Sequence, residues 1–551
     1  MPKLGKVAFL PMIVSAVLAA AAGAQRTSTA SDCNIDENTT VAMSVFALMA
    51  AQQPGIAPAE AKKQLQTAIG RMFPDDQRAA SDNARNPVGR AYTLGRVYMM
   101  FLSQSDMPVV TTRGALGFKT NPTGSADLSV GIDSAFKVVE EKAPQCQMLM
   151  SQWRQQAGWV KLVQKAMDFA NTAGETASDS VRRVVLDSAD AIAHQALRIS
   201  PTAPYSHLVL GNVAAAHSKN LEAINQYKDA LEEAGKDTIF ATVRRTILYK
   251  LGTFALDAAQ QDTVKKNQDT YFTEARTACA ALDKDPGTQY VDVAQECLFS
   301  VLRASHDTVG IHSACKEQLA NPDTSTFARL VRCGTAFAEI KEYGNSTRLF
   351  EAATTLNPFH RDGLYNLALM QINNLEFDPA IKTTDRLIAI DPSNPDDLRL
   401  YVYAYNGIRK AYLARAKALG DTVNLLANSK KAVDVAHRKA LIDSAAKVDP
   451  LQRAALNQVV AWNTKADSMP VRVTFTEWTQ GTAKTTLSGN IQNKTAVEQS
   501  YVLNVEFLDK TGKVVGTGKA TVDKVRPSGS GTFTVTGTAA GIVGFRYAPL
   551  S

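Results

Sequence analysis

The chain has 551 residues, of which 45% are hydrophobic and 21% charged, so it can bury a large core and is not a disordered polymer. A formal charge of +7 is thin at this length and predicts no nucleic-acid partner.

At the start of the chain, Lys3 and Lys6 precede an apolar run from Val7 to Ala22, and Ala22-Gly23-Ala24 offers a small-residue cleavage site. Residues 1–24 are expected to be a signal peptide, since Pro11 and the small-residue end favour cleavage over a spanning helix. No later run is apolar enough for a transmembrane segment. Asp32, directly before Cys33, spoils a lipid-attachment pattern. These features predict an exported protein, periplasmic or extracellular, with a charge of +5 once Lys3 and Lys6 are removed.

Residues 25–150 read as helical but irregular. Leu94-Gly95 has the look of a first helix whose partner follows only after an insertion, Ser103 to Ser129, rich in Thr, Gly, Asn and Pro. From residue 151 the pattern tightens. The stretch LVRCGTAFAEIKEYGNSTRLFEAATTLNP from Leu330 and LYNLALMQINNLEFDPAIKTTDRLIAIDP from Leu364 share one apolar grammar and close on Pro358 and Pro392, 34 residues apart. Three windows align at this period: roughly Ala203 to Lys236, Phe327 to His360 and Arg361 to Pro395. Each carries a small residue in its first helix (Gly211, Gly334, Ala368) and another early in its second (Ala223, Ser346, Ala380). Small residues let two helices approach while larger ones fill the flanks. Leu251-Gly252 is a further first-helix signature with an insertion before its partner.

This pattern resembles the tetratricopeptide repeat. Leu210, Gly211, Ala223, Tyr227, Ala230 and Leu231 stand at that family's Leu-Gly, Ala, Tyr and Ala-Leu positions. The resemblance implies a mainly α protein, with a TPR-like α-solenoid of helical hairpins over residues 151–468. After Pro392 the pair becomes long, running through Leu441 to Pro450. It carries the densest basic stretch, Arg409, Lys410, Arg415, Lys417, Lys430, Lys431, Arg438 and Lys439, expected as a solvated face or, in the rival reading, a phosphate or lipid-headgroup surface.

Within such an array the cysteines are informative. Cys279, Cys297, Cys315 and Cys333 are each 18 residues apart, an interval that steps from one helix to its antiparallel neighbour. The pairing expected is Cys279–Cys297 and Cys315–Cys333, leaving Cys33–Cys146. The competing pairing, Cys297–Cys315, would strand Cys279 and Cys333 too far apart.

From about Met469 helical periodicity stops. Val471 to Glu477 and Tyr501 to Asp509 alternate, and Tyr501, Leu503, Val505 and Phe507 share a face. Asp509-Lys-Thr-Gly512 reads as a hairpin turn, with strands following at Lys513 to Thr521, Gly531 to Thr536 and Ile542 to Tyr547. Residues 469–551 are therefore expected as a small antiparallel β-sandwich. The segment Gly489-Asn-Ile-Gln-Asn, the run from Val505 to Val515, and Pro527-Ser-Gly529 before Phe533 resemble the FxLYD-type immunoglobulin-like domain of bacterial envelope proteins, although Leu508 replaces the usual Tyr.

No catalytic constellation assembles: G-x-S-x-G, H-E-x-x-H and the phosphate-cradling glycine loop are all missing. No metal or cofactor is expected. His194, His207 and His217 do not share a ligand face, and His207 reads as packing. The Asn-x-Thr/Ser triplets at Asn38, Asn345 and Asn493 are glycosylation acceptors only in a suitable host. What remains is the inner face of the repeats. In the family resembled, successive first helices line a groove for a peptide. On matching positions the candidates are Val331, Thr335, Ala338 and Glu339, then Tyr365, Leu369, Ile372 and Asn373, with Tyr205, Leu208 and Asn212 upstream. Val331 and Thr335 replace the clamp that some members use for a terminal carboxylate. The expectation is a non-enzymatic scaffold or adaptor for a protein or peptide in the cell envelope. The rival class is a cell-wall glycan or membrane-surface binder, docked through the sandwich or the basic helical pair. A hydrolase hidden between Cys33 and Gln147, where the pattern is weakest, is a third reading.

Overall fold

A computed structural model of the chain describes residues 35, 39–73, 86–175, 178–235, 238–481 and 484–550. The signal segment, Cys33 and Asn38 lie outside the described residues. The chain divides into two compact units, Met1–Val301 and Leu302–Ser551. This division falls inside the stretch expected as one repeat domain, and the C-terminal strands share a unit with the last repeats.

The first unit is a succession of helices: α1 (Thr39–Ala51), α2 (Pro58–Met72), α3 (Pro87–Ser103), α4 (Leu128–Lys142), α5 (Gln147–Arg154), α6 (Ala157–Glu175), α7 (Asp179–Ile199), α8 (Pro204–Ala216), α9 (Asn220–Ala234), α10 (Ala241–Gln261), α11 (Lys265–Lys284) and most of α12 (Val291–Ala304). They pack as neighbouring pairs, α1 on α2, α3 on α4, α6 on α7, α8 on α9 and α10 on α11. The insertion between α3 and α4 is a small antiparallel ribbon, β1 (Val110–Thr112) against β2 (Ser125–Asp127), which the Gly- and Pro-rich sequence hides.

The second unit continues with α13 (Thr308–Ala314), α14 (Lys316–Ala320), α15 (Phe327–Glu339), α16 (Tyr343–Leu356), α17 (Arg361–Asn373), α18 (Phe377–Ile390), α19 (Pro395–Leu425) and α20 (Ala432–Asp467). Within this unit α15 pairs with α16, α17 with α18 and α19 with α20, and each second helix packs on the next first helix. That is the grammar of an α-solenoid. Helix α20 runs on through Pro450 to Asp467, a correction to the expected end at Pro450. The missing N–H loses one backbone bond, but Trp462 beyond it stacks on Tyr401 at 4.1 Å, and Ala466 packs against Leu398 and Tyr401.

The helix pairs meet where side chains vanish. A Cβ on Gly211 would come 2.6 Å from the Tyr227 ring, and one on Gly334 3.0 Å from the Phe350 ring. Gly95 faces Phe136 on α4, so that first helix finds its partner beyond its insertion. Gly252 faces Cys279 Sγ on α11, which follows α10 after a three-residue turn. This is a correction to the insertion expected there, since the extra residues lengthen the two helices instead. The turns repeat as well. Ser218, Lys341 and Leu375 have left-handed backbones (φ 59°, 65° and 63°). The amide after each bonds a carbonyl five residues back: Lys219 to Ala214, Glu342 to Phe337 and Glu376 to Gln371, at 2.8–2.9 Å.

Two cysteine pairs are at disulfide distance. Cys279 on α11 and Cys297 on α12 have S–S 1.96 Å, and Cys315 and Cys333 have S–S 2.13 Å. Cys315 sits at the break between α13 and α14 rather than within a helix.

After α20 the chain forms β3 (Val471–Gln480), β4 (Thr485–Asn493), β5 (Gln499–Leu508), β6 (Val514–Val525), β7 (Ser530–Gly537) and β8 (Gly544–Tyr547). They make two antiparallel sheets in the orders β3-β4-β7 and β6-β5-β8. Val471, Val473, Leu487 and Ile491 from one sheet share a buried core with Tyr501, Leu503, Val505 and Phe507 from the other. Gly512 takes φ +85° in the turn after β5.

Candidate functional site

In the second unit, α15 and α17 present matching residues at i, i+4 and i+7: Val331, Thr335 and Ala338 on the first, Tyr365, Leu369 and Ile372 on the second. All six are half-buried, and Glu339 and Asn373, one residue further on, are exposed. Behind them lie two clusters. Val331, Ala338 and Leu369 touch Phe350, Leu367 and Met370, while Tyr365, Leu369 and Ile372 rest on Leu364, Ala368, Leu387, Ile390 and Leu400. Five of the six side chains thus anchor one edge in the core while staying half-exposed. Thr335 Oγ1 donates to the Val331 carbonyl at 2.9 Å, and Glu339 lies 3.7 Å from Arg303.

The three upstream candidates fare differently. Tyr205 is only 7% exposed, its ring edge-on to Trp159 and Phe240, and Leu208 is 3% exposed. Helix α8 packs against α6, α7, α9 and α10, so both residues belong to the core of the first unit and present no open face. Asn212 is half-buried and accepts a hydrogen bond from Tyr227 at 2.9 Å. His207, half-buried, lies 2.9 Å from Gln226 Oε1. Among the described residues no group of three or more His, Cys, Asp or Glu side chains could hold a metal ion. Nor is any described helix long and apolar enough to cross a membrane.

At the N-terminal end of α17 lies a cluster that sequence reasoning missed. Arg361 donates through Nε to Asp391 at 2.9 Å, through a second nitrogen to Asp397, and through Nη1 to Asp362 at 2.9 Å. Its guanidinium is 5.3 Å from the Tyr365 ring. Asp391 also accepts from the Tyr547 hydroxyl at 2.5 Å, and Tyr547 in turn accepts from the Ser393 amide. Asp391 and Asp397 have no exposed side-chain surface, and Asp397 Oδ2 has no hydrogen-bond partner. Burial and then the Asp391 charge push the Asp397 carboxyl well above its usual range, with Arg361 pulling the other way. The unpartnered oxygen is where a proton would sit. Burial opposes the Arg361 charge too, but Asp397 and Asp391 outweigh it and raise its pKa. The only sequence hint was a turn dense in aspartate, Asp391 to Asp397, 30 residues after an arginine.

The cluster joins the α18–α19 turn to the strands. Val473 N–H donates to the Ser393 carbonyl at 3.0 Å, Leu550 N–H to Ser393 Oγ at 2.9 Å, and Asn357 Nδ2 to the Val543 carbonyl at 2.8 Å. The Phe359 ring fills a notch that Gly512 leaves open, and Gly544 lies against the Phe359 backbone. Beside it is a cavity of about 110 Å³, walled by Phe359, Phe475, Trp478 and Phe545. A β-bulge at Phe475/Glu477 turns the edge strand there.

No protein-family model matches this sequence, and no curated protein matches it. Similar solved structures include the apo form of RapI, at 12% identity over 77% of this chain and 98% of that one, with a TM-score of 0.21. The TPR domain of P58(IPK) aligns at 14% identity over 61% of this chain and 98% of that one, with a TM-score of 0.15. The human IFIT1 dimer with m7Gppp-AAAA aligns at 13% over 79% and 96%, also at 0.15. At these scores the likeness carries no argument. The solenoid description rests on the helix pairs, their glycine seats and their repeated turns.

Proposed function

We propose that this chain is an exported, non-enzymatic adaptor that holds a protein or peptide segment along the first helices of its repeats. The observation that carries this reading is the matched half-exposed face on α15 and α17. Val331, Thr335 and Tyr365, Leu369 supply the apolar and hydroxyl contacts, and Glu339 and Asn373 the polar rim. A mixed strip of this kind suits an extended or helical segment with aliphatic or aromatic anchors. Two disulfides fit an oxidising compartment, in keeping with a signal peptide over residues 1–24 and a periplasmic or extracellular location. The pairing Cys33–Cys146 and an FxLYD-like identity for residues 469–551 belong to the same proposal, as does a degenerate repeat region over residues 25–150.

The test is site-specific photocrosslinking in envelope extract. A photoreactive residue replacing Asn373 should capture one polypeptide species, whereas one replacing Lys382, exposed on α18, should not. Equal capture from both positions would reject the face.

A further inference from the structure

The charge of this protein is concentrated in one place. Between Arg409 and Lys447 stand nine Lys or Arg and three Asp, a net +6 in a chain whose formal total is +7. This segment is the outer part of the α19–α20 hairpin. From Tyr405 to Lys447 no residue is buried. At the base of the arm Tyr405 and Gly407 still rest on α18, through Ile381 and Phe377. At 1.5 Å per residue α19 is about 46 Å long.

Part of that charge is used internally. Lys417 pairs with Asp421 at 2.8 Å, and Arg438 donates to the Leu426 and Ala427 carbonyls, tying the tip. Lys410, Arg415, Lys430, Lys431, Lys439 and Lys447 are exposed, and none makes an ion pair among the described residues. Aliphatic side chains stand between them. Leu425 and Val433, flanking the tip, are 85% and 78% exposed, and Ile442 is 50% exposed. Lys431, Val435, Lys439 and Ile442 follow at i, i+4, i+8 and i+11, so cations and aliphatics alternate along one helical strip.

We propose that the tip and basic strip of this arm dock on a bilayer containing anionic phospholipid. The unpaired cations would meet headgroup phosphates, and Leu425 and Val433 would enter the headgroup–acyl boundary. Three features select this occupant. The charge is complementary. The surface is a convex tip rather than a groove, which suits a flat, deformable partner better than a folded one. The two most exposed aliphatics stand beside Lys430 and Lys431, an arrangement that a soluble polyanion would leave half unused. The proposal goes beyond the peptide-binding reading and shares no residue with it.

The experiment is sedimentation of the purified full chain with vesicles of phosphatidylcholine alone or mixed with phosphatidylglycerol. Binding is expected only to the mixed vesicles and should weaken as salt rises. Each lysine removed should cost about fivefold, so Lys430→Gln, Lys431→Gln and Lys439→Gln together should weaken binding about a hundredfold. Leu425→Ser with Val433→Ser, which keeps every charge, should weaken it about tenfold. All five positions are exposed, and far-UV circular dichroism checks that the helices persist. Asn373→Arg, on the peptide face, should leave vesicle binding unchanged whether or not that face binds anything. Equal binding to both vesicle types would overturn the proposal. So would vesicle binding that survives the lysine changes, or retention on heparin with no vesicle binding, which would assign the arm to a soluble polyanion.

Discussion

The seat of Phe359 gives a test in which geometry dictates which substitutions interact. A Cβ on Gly512 would lie 2.7 Å from the tip of the Phe359 ring, whereas one on Gly544 would meet the Phe359 carbonyl oxygen at 2.5 Å and its Cβ at 2.6 Å. Phe359 is half-buried, so Phe359→Ala should cost about 2 kcal/mol, roughly half the value for a fully buried ring. Gly512→Ala carries a left-handed backbone penalty of about 1 kcal/mol and an overpacking cost of about 2 kcal/mol. Removing the ring abolishes the second cost only. Combined with Phe359→Ala, Gly512→Ala should therefore cost about 1 kcal/mol, a coupling of about 2 kcal/mol. Gly544→Ala clashes with atoms that alanine at position 359 retains, so its cost of about 3 kcal/mol should be the same in both backgrounds. Urea unfolding of the parent, the three single variants and the two doubles, compared through midpoints at constant slope, gives both cycles. Additivity for the Gly512 pair, or strong coupling for the Gly544 pair, would refute the seat as described.

Three other outcomes follow from the same structure. Replacing Cys279 and Cys297 together by serine removes a link across 18 residues and should destabilise the first unit by about 3 kcal/mol, read as a loss of thermal stability that reductant reproduces in the parent. Leu375 is 74% exposed and holds φ +63° without being glycine, so Leu375→Gly should leave stability unchanged or raise it by up to about 1 kcal/mol; a clear loss in urea unfolding would contradict the strain. Burial raises the Asp397 carboxyl in the folded chain above the ordinary value of 3.8. The stability it contributes is present below that pH and lost as pH rises through the raised value. Asp397→Asn should flatten this part of the stability–pH curve, and an unchanged slope would show that another group sets it.

Much of the fold was legible because it rests on local spacing. The 34-residue period marks the helix pairs, and Gly95 announced a first helix whose partner lay beyond an insertion, whereas Gly252 announced one whose partner follows a short turn. The 18-residue steps gave the two cysteine pairs, the first because the step crosses from α11 to its neighbour α12, the second although Cys315 reaches Cys333 from a helix break. The alternation from Tyr501 to Phe507 marked a strand buried on one face. What the sequence hid depends on distant chain. Leu208 occupies a position that is half-open on α15 and α17, and Tyr205 one that is exposed there, but four helices cover α8, and nothing near residue 205 says so. The acid pair at Asp391 and Asp397 takes its meaning from Tyr547, 156 residues away. Pro450 reads locally as a helix end, and the packing of Trp462 and Ala466 overrides it.

The peptide-binding face is tested most directly by crosslinking the purified protein in native envelope extract, comparing the parent with Glu339→Arg plus Asn373→Arg and identifying adducts by mass spectrometry. These two positions are preferable to Tyr365 or Leu369, because Leu369 packs into both clusters behind the face and a charge there would disturb the fold. The account predicts one polypeptide adduct with the parent, lost in the double variant while its far-UV circular dichroism is that of the parent, the lost Glu339–Arg303 pair costing no more than about 1 kcal/mol. The same adduct at the same yield from both proteins would contradict it.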